Sequence, residues 1–147
     1  MDDRYFLRPT GFERLFNRTF GALIRIGIGL GHNYVLEVSG RKSGKVYSAP
    51  VNLIAVDGHD YLVAPRGETN WVRNARAAGR IALVKGRTRR DFTLREIAAA
   101  DRPPILKAYL DRYAPTVQRY FPIQKGSPAG SFTELAERYP VFELGAG

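Results

Sequence analysis

Two pairs of β-forming runs joined by tight turns constrain this chain more than any other feature of its sequence. Residues 49–56 and 61–64 flank Asp57-Gly58-His59-Asp60, and an Asp-Gly pair between two such runs is a strong β-hairpin signal. Residues 80–85 and 89–97 flank Gly86-Arg87-Thr88 and predict a second hairpin. Further strands are predicted at residues 34–39 and 141–144. Antiparallel hairpins with long intervening connections favour a small closed or split β-barrel.

The segment 11–28 predicts an amphipathic helix, because its phenylalanines fall on one side and its arginines on the opposite side. The simplest interpretation is a helix packed on the domain with its arginines in solvent. The alternative is a helix that contacts a membrane surface. The apolar stretch 21–31 is too short for a membrane span, which needs about 20 residues, and no secretory signal is visible. We therefore expect a cytoplasmic protein, with membrane association as the alternative.

Three further helices are predicted after the first hairpin. Residues 69–78 form a short one, with Thr69 or its neighbour as the N-cap and Gly79 at the end. The segments 101–113 and 131–138 have helical patterns, and the second begins with a capping box. The expected fold class is α+β, mainly β: a split β-barrel of antiparallel strands with peripheral helices.

Composition limits the possible functions. The 147 residues suit one domain, so we treat residues 1–147 as a single unit. A net charge of +9, from 23 Lys+Arg against 14 Asp+Glu, favours an anionic partner: nucleic acid, anionic lipid or a polyanionic small molecule. The absence of cysteine excludes disulfides and thiolate sites, and the two histidines are too few for a convincing transition-metal site. No metal is expected.

A basic loop between two glycines follows the first strand. Residues 38–45 read Val-Ser-Gly-Arg-Lys-Ser-Gly-Lys. Backbone N–H groups in glycine turns point at anions, and lysine and arginine neutralise them, so the segment predicts a phosphate or carboxylate site. An ordinary charged hairpin loop is the alternative. The segment is not a P-loop, since only three residues separate its glycines and Val46 follows Lys45.

A second basic turn, Pro65-Arg66-Gly67, lies shortly before Trp71, the only tryptophan. A buried core tryptophan is the simplest interpretation, and a wall for a flat ring is the alternative. The C-terminal aromatic residues are either packing residues or an apolar lid over a planar ligand. These residues are Tyr109, Tyr113, Tyr120 and Phe121.

The chain resembles the deazaflavin-dependent nitroreductase family, the oxidoreductases that use coenzyme F420. The resemblance covers about residues 27–144 and rests on the order and spacing of four segments. They are LEVSGRKSG at 36–44, APV at 49–51, LVAPRGETNWVRN at 62–74 and YPVFEL at 139–144. It implies a split β-barrel like that of FMN-binding proteins, and a cofactor with a planar deazaflavin, a phosphate and an oligoglutamate tail.

The resemblance also implies the site residues. The phosphate and the start of the tail would be held by Arg41, Lys42, Ser43 and Gly44. The edge of the deazaflavin would be lined by Ala64, Pro65, Arg66 and Gly67. The remaining cofactor contacts would be Tyr47, Ala49, Pro50, Trp71 and Asn74. The family often has a basic residue where this chain has Tyr47.

The expected reaction is hydride transfer from reduced F420 to a quinone or nitroaromatic acceptor. The proton would follow from water or from a tyrosine such as Tyr113 or Tyr120. One alternative keeps the barrel but has FMN, haem or a lipid as the ligand. Another class of protein, a non-enzymatic nucleic-acid-binding protein, would use the basic run Arg87-Thr88-Arg89-Arg90. No recognition motif accompanies that run, so no nucleic-acid partner is expected. The sequence leaves monomer and homodimer both open.

Overall fold

Six antiparallel strands close into a barrel in the computed structural model, which describes residues 33–146. The strands are β1 (Asn33–Ser39), β2 (Val46–Val56), β3 (His59–Val63), β4 (Arg80–Lys85), β5 (Thr88–Glu96) and β6 (Val141–Ala146). Their order around the barrel is β1-β2-β3-β6-β5-β4. The predicted mainly-β fold, an antiparallel barrel with peripheral helices, is confirmed. The helix predicted at 11–28 lies outside the described residues.

Both predicted hairpins are present. Asp57 and Gly58 form the β2–β3 turn with φ of 51° and 81°, the left-handed conformation that a two-residue type I′ turn requires. The β4–β5 turn lies at residues 86–87. Strand β2 begins three residues earlier than predicted, because Val46 and Tyr47 continue the pairing with β1 although both are exposed.

Helix α1 (Asn70–Ala78) lies between β3 and β4, as predicted. Gly79 ends it in the left-handed conformation, with φ of 73°, and its N–H donates to the Ala75 carbonyl at 2.8 Å. Thr69 occupies the N-cap position, but its side chain makes no capping hydrogen bond. The position of the cap was therefore predicted correctly and the capping bond wrongly.

The C-terminal helices differ from their predicted bounds. Helix α2 (Pro103–Val117) runs past Pro115, because a kink at Tyr113 (φ −112°, ψ 18°) releases the backbone bond that a proline cannot make. The last predicted helix is a 3₁₀ segment, Ala129–Arg138, which begins after Pro128 without a side-chain cap. The capping-box prediction was therefore wrong.

Two apolar layers hold the barrel and its helices together. The barrel interior contains Leu36, Val38, Leu62, Ile81 and Leu83, and Ala75 of α1 packs against them. The outer face of β2, β3 and β6 is covered by α2 and the 3₁₀ segment 129–138. Helix α1 thus packs at the barrel end where β3 stops and β4 begins. The β2–β3 and β4–β5 turns mark the other end.

Candidate functional site

The loop at residues 40–45, between β1 and β2, has the geometry of an anion-binding turn. Gly44 adopts a left-handed conformation with φ of 77°. The Gly40 N–H donates to the Lys45 carbonyl at 2.6 Å, and the Gly44 N–H donates to the Gly40 carbonyl at 3.0 Å. The Lys45 N–H donates to the Ser43 hydroxyl at 3.2 Å. These bonds fix the loop before any ligand is present.

Within the described part of the chain, two N–H groups of this loop remain unused. They belong to Lys42 and Ser43, since the other four donate to Lys45, Asn74, Gly40 and Ser43 oxygens. Nor do the ammonium groups of Lys42 and Lys45 form an ion pair with any described residue. Adjacent backbone donors between cationic side chains form a concavity suited to a phosphate group.

Asn74, on α1, holds this loop against the helix. It is only 4% exposed. Its Oδ1 accepts the Arg41 backbone N–H at 3.0 Å and the Arg41 guanidinium at 2.7 Å. Arg41 and Asn74, predicted separately as cofactor residues, are therefore brought together.

Strand β2 has an open edge next to this loop. Residues 53–56 pair with β3, whereas residues 46–52 pair with β1 alone. No other described strand covers the second edge of residues 46–52. Pro50, which has no N–H group, is typical of such an edge. Tyr47, Ala49 and Pro50, all predicted cofactor residues, lie on this uncovered stretch.

The open edge leads from the basic loop to the turn after β3. Extending the β2–β3 register places Ala64 level with Val51. Five residue steps, from Val46 to Val51, span about 17 Å in an extended strand. An uncovered edge of that length, which we call the groove, suits an elongated cofactor with a phosphate at one end and a ring at the other.

The turn at residues 64–67 is tightly built. The Gly67 N–H donates to the Ala64 carbonyl at 3.0 Å, and Gly67 has φ of 82°. Ala64 and Gly67 are buried, while Pro65 and Arg66 are partly exposed at the tip. One backbone hydrogen bond thus closes the turn, and Pro65 and Arg66 are its more exposed residues.

A polar residue, Thr69, and an aromatic residue, Trp71, follow this turn. The Thr69 hydroxyl is buried, with the residue 8% exposed, and has no hydrogen-bond partner among the described residues. Burying such a group without a partner costs about 1–3 kcal/mol, so a ligand or water is expected there. Trp71 is half-buried, and its ring centroid lies 6.1 Å from that of Phe142. Trp71 is therefore partly a core residue and partly available as a wall.

Tyr113 and Tyr120 lie in the aromatic layer around α2, beyond the far end of the open edge. The Tyr113 hydroxyl donates to the Leu53 carbonyl at 2.5 Å, and burial raises the pKa of Tyr113. The Tyr120 hydroxyl accepts a hydrogen bond from the Arg119 guanidinium at 2.7 Å. Tyr109 packs edge-on against Tyr113, with ring centroids 5.3 Å apart. The contact with Leu53 places Tyr113 just beyond the open stretch 46–52 of β2, whereas the basic loop precedes that stretch.

An ion-pair network that the sequence patterns did not predict supports the turn. Arg76 on α1 donates to both carboxylate oxygens of Glu68 at 2.9 and 3.0 Å and to Glu96 at 2.8 and 2.9 Å. Arg102 contacts the same Glu96 at 3.2 Å. The paired residues are 6, 8 and 20 residues apart in sequence, so only the pairing of helical and strand positions reveals the network.

Residues 33–146 contain neither a metal cluster nor a membrane-spanning helix. No group of three or more His, Asp or Glu side chains is placed to hold a metal ion within this range. In the same part of the chain, no helix has the length and apolarity that crossing a bilayer demands.

Comparison with solved structures supports the fold. A structure described as a domain-swapped dimer matches at 18% identity with a TM-score of 0.57, covering 90% of this chain and 96% of that one. An F420-H2 dependent reductase matches at 21% identity with a TM-score of 0.50, covering 79% and 99%. A FAD-binding protein from Mesorhizobium loti matches at 13% identity with a TM-score of 0.52, covering 88% of each chain. At these identities the likeness establishes the shared barrel alone.

A family comparison goes further. No curated protein was found to match this chain. The model of the F420H(2)-dependent quinone reductase family matches residues 13–124, most of the chain. This match confirms the resemblance stated from the sequence and the cofactor that it implied. The chain therefore belongs to the F420H(2)-dependent quinone reductase family, whose members are oxidoreductases that use coenzyme F420.

Proposed function

We propose that this protein transfers a hydride from reduced F420 to a quinone acceptor, with nitroaromatic compounds as the alternative acceptors. The observation that supports this proposal best is the open edge of β2. It connects the basic loop at residues 40–45 with the turn at residues 64–67. One continuous groove then serves both ends of the cofactor.

The groups lining this groove fit the parts of F420. The unused N–H groups of Lys42 and Ser43 and the cations of the loop match the phosphate and the start of an acidic tail. Pro65 and Arg66 match the edge of the ring, and the unpartnered Thr69 hydroxyl is available to a polar atom near it. Of the predicted cofactor residues, the fit uses Lys42, Ser43, Pro65 and Arg66 directly, with Asn74 as a support for Arg41 and Trp71 as a partial wall.

When bound, reduced F420 supplies the hydride, and the protein supplies position, charge and shelter from water. Trp71 and the turn at residues 64–67 would hold the ring in one plane. Arg41 would keep its guanidinium on Asn74, so the Lys42 and Lys45 side chains would neutralise the phosphate. These roles position the donor before an acceptor arrives.

The proton that completes quinone reduction would come from a tyrosine. The Tyr113 hydroxyl already donates to the Leu53 carbonyl, so it must give up that bond before it donates elsewhere. The Tyr120 hydroxyl accepts from Arg119, and its own proton has no acceptor among the described residues. We therefore propose Tyr120 as the donor and Tyr113 as a wall of the acceptor site.

A fluorescence titration of the protein with F420, run beside FMN, tests the cofactor site. Lys42→Ala should weaken F420 binding by at least about tenfold, because a desolvated cation–phosphate contact is lost. Lys125→Ala is the matched control, since this lysine lies in the C-terminal segment far along the chain from the loop. Equal effects of the two substitutions would show general charge attraction and contradict the site. Preference for FMN would contradict the proposed chemistry.

A stopped-flow experiment tests the reaction. When the protein and F420H2 are mixed with a soluble quinone, the absorbance of oxidised F420 should return in a single exponential. Its rate constant should reach a maximum as the quinone concentration rises. The same experiment with a nitroaromatic compound ranks the two acceptors. Saturation with neither acceptor, despite tight F420 binding, would overturn the proposed reaction while leaving the cofactor site intact.

A further inference from the structure

A second pocket opens at the barrel end that carries the β2–β3 and β4–β5 turns, opposite α1. It has a volume of about 350 Å³, within the range of small-molecule sites. Its lining includes Leu53, Asp60, Leu83, Lys85, Arg90 and Phe92. None of these residues belongs to the cofactor groove. The two sites lie at opposite ends of the barrel.

The pocket has an apolar floor and a charged rim. Tyr34, Leu53, Leu83 and Phe92 belong to the apolar cluster of the barrel interior. Two cations lie over the aromatic members of this floor. The Lys85 ammonium is 5.1 Å from the centroid of the Tyr34 ring, and the Arg90 guanidinium is 5.1 Å from that of Phe92. Among the lining residues that the structure describes, Lys85 and Arg90 are the cations and Asp60 is the one acidic residue.

The alternation of strand β5 explains why the basic run at residues 87–90 does not form a continuous cationic surface. Thr88, Arg90 and Phe92 face the pocket, whereas Arg89 faces the other side of the sheet. There Arg89 pairs with Glu37 and lies 3.8 Å from Asp91. A nucleic-acid backbone needs a row of unpaired cations on one face. In the run at residues 87–90, Arg90 instead lines the pocket and Arg89 forms an ion pair on the other face.

We propose that this pocket binds an amphipathic monoanion, a small molecule with one carboxylate and an apolar chain or ring. The carboxylate lies between Lys85 and Arg90, and the apolar part enters the barrel toward Leu53 and Leu83. Asp60 disfavours a second negative charge, which discriminates against phosphate esters and dicarboxylates. The site is separate from the F420 groove and does not depend on the proposed reaction.

Isothermal titration of the full chain with octanoate tests this proposal. We expect saturable binding of one octanoate per chain, weakened at least about fivefold by Lys85→Gln and by Arg90→Gln, because each removes a charge-assisted contact. Arg87→Gln is the matched control, since this residue lies in the same turn but does not line the pocket. Amide resonances of residues 53, 83 and 92 should shift on binding, and F420 affinity should stay within about twofold in all three variants.

Several outcomes would overturn the proposal. They are the absence of saturable binding, equal affinity for octan-1-ol, or equal weakening by Arg87→Gln and Arg90→Gln. Displacement of octanoate by a short DNA duplex would indicate a polyanion site instead. Loss of F420 affinity in the Lys85 or Arg90 variant would show that the two sites are not separate.

Discussion

The side-chain oxygen of Asn74 binds both the backbone and the side chain of Arg41, at 3.0 and 2.7 Å. A single buried amide thereby sets the conformation of the basic loop and the direction of its arginine. It also joins the loop to α1, the helix that follows the turn at residues 64–67. The geometry of the proposed cofactor groove depends on this one contact between distant parts of the chain.

Substitution of Asn74 should therefore weaken F420 binding without removing any group that reaches the cofactor. In Asn74→Ala, the Arg41 N–H loses its partner and the guanidinium is released, so we expect about a tenfold higher Kd for F420. We also expect a loss of about 1–3 kcal/mol in the free energy of unfolding, as for other buried hydrogen bonds. The fluorescence titration and urea denaturation measure the two effects.

Asn74→Asp is the matched control, because a carboxylate accepts the same two hydrogen bonds from Arg41. It should recover most of the F420 affinity that Asn74→Ala loses. If the aspartate variant binds F420 as weakly as the alanine variant, the contact with Arg41 is not what supports the loop.

Glu68 makes stability depend on pH through its contact with Arg76. The hydrogen bonds from Arg76 hold the pKa of Glu68 below its usual 4.5. A carboxyl whose pKa is lower in the folded state binds protons more readily when unfolded. Its stabilising contribution is therefore present above about pH 4.5 and is lost as the pH falls through the folded-state pKa.

In Glu68→Gln, the free energy of unfolding at pH 7 should fall by less than about 1 kcal/mol, since the side chains of Arg76 and Glu68 are 42% and 41% exposed and solvent screens the pair. The difference from the wild-type protein should shrink toward zero as the pH falls well below 4.5. Thermal unfolding between pH 3 and 7 measures this convergence. Glu134→Gln removes an exposed carboxylate of the 3₁₀ segment, outside the Arg76 network, and is the control for the loss of one charge. A constant difference for Glu68→Gln would contradict the linkage.

Local sequence signals predicted the parts of the fold that depend on neighbouring residues. The Asp57-Gly58 turn needs left-handed backbone at both positions, and those two residue types supply it. The same holds for Gly79, which ends α1, and for Gly44 in the basic loop. The candidate loop residues at 41–44 could therefore be identified from the sequence alone.

Features that depend on pairing between distant segments could not be predicted in this way. The open edge of β2 exists because β3 pairs with residues 53–56 only, whereas residues 46–52 pair with β1, which lies earlier in the chain. The continuation of α2 past Pro115 depends on the kink at Tyr113, whose hydroxyl is held by Leu53 on another element. The role of Asn74 as a support for Arg41 likewise appears only in three dimensions.

The two tyrosines should respond differently to removal of the hydroxyl. Tyr120→Phe should lower kcat for quinone reduction by about 100-fold, as expected for loss of a general acid, with little change in the Kd for F420. Tyr113→Phe should leave kcat within a few-fold but destabilise the fold by about 1 kcal/mol, because the bond to the Leu53 carbonyl is lost. Stopped-flow rates and urea denaturation separate the two effects.

A solvent isotope effect provides the second readout for this assignment. Quinone reduction by the wild-type protein should be slower in D2O than in H2O. This isotope effect should disappear in Tyr120→Phe if another step then limits the reaction. If Tyr113→Phe loses the isotope effect and Tyr120→Phe retains it, the roles of the two residues are reversed.

Arg102 should be the most important charged residue for stability. It is 8% exposed and donates to the carbonyls of Ile97 at 2.8 Å and Ala136 at 3.0 Å, as well as to Glu96. Arg102→Met fills much of the same volume but leaves two buried carbonyls without these donors, so we expect a loss of about 2–4 kcal/mol. Arg102→Lys, which keeps one charged donor group, should lose less.

F420 affinity at low temperature should be unchanged in both variants, because Arg76 still holds Glu68 and Glu96. A methionine variant as stable as the wild-type protein in urea would show that these carbonyls find other donors.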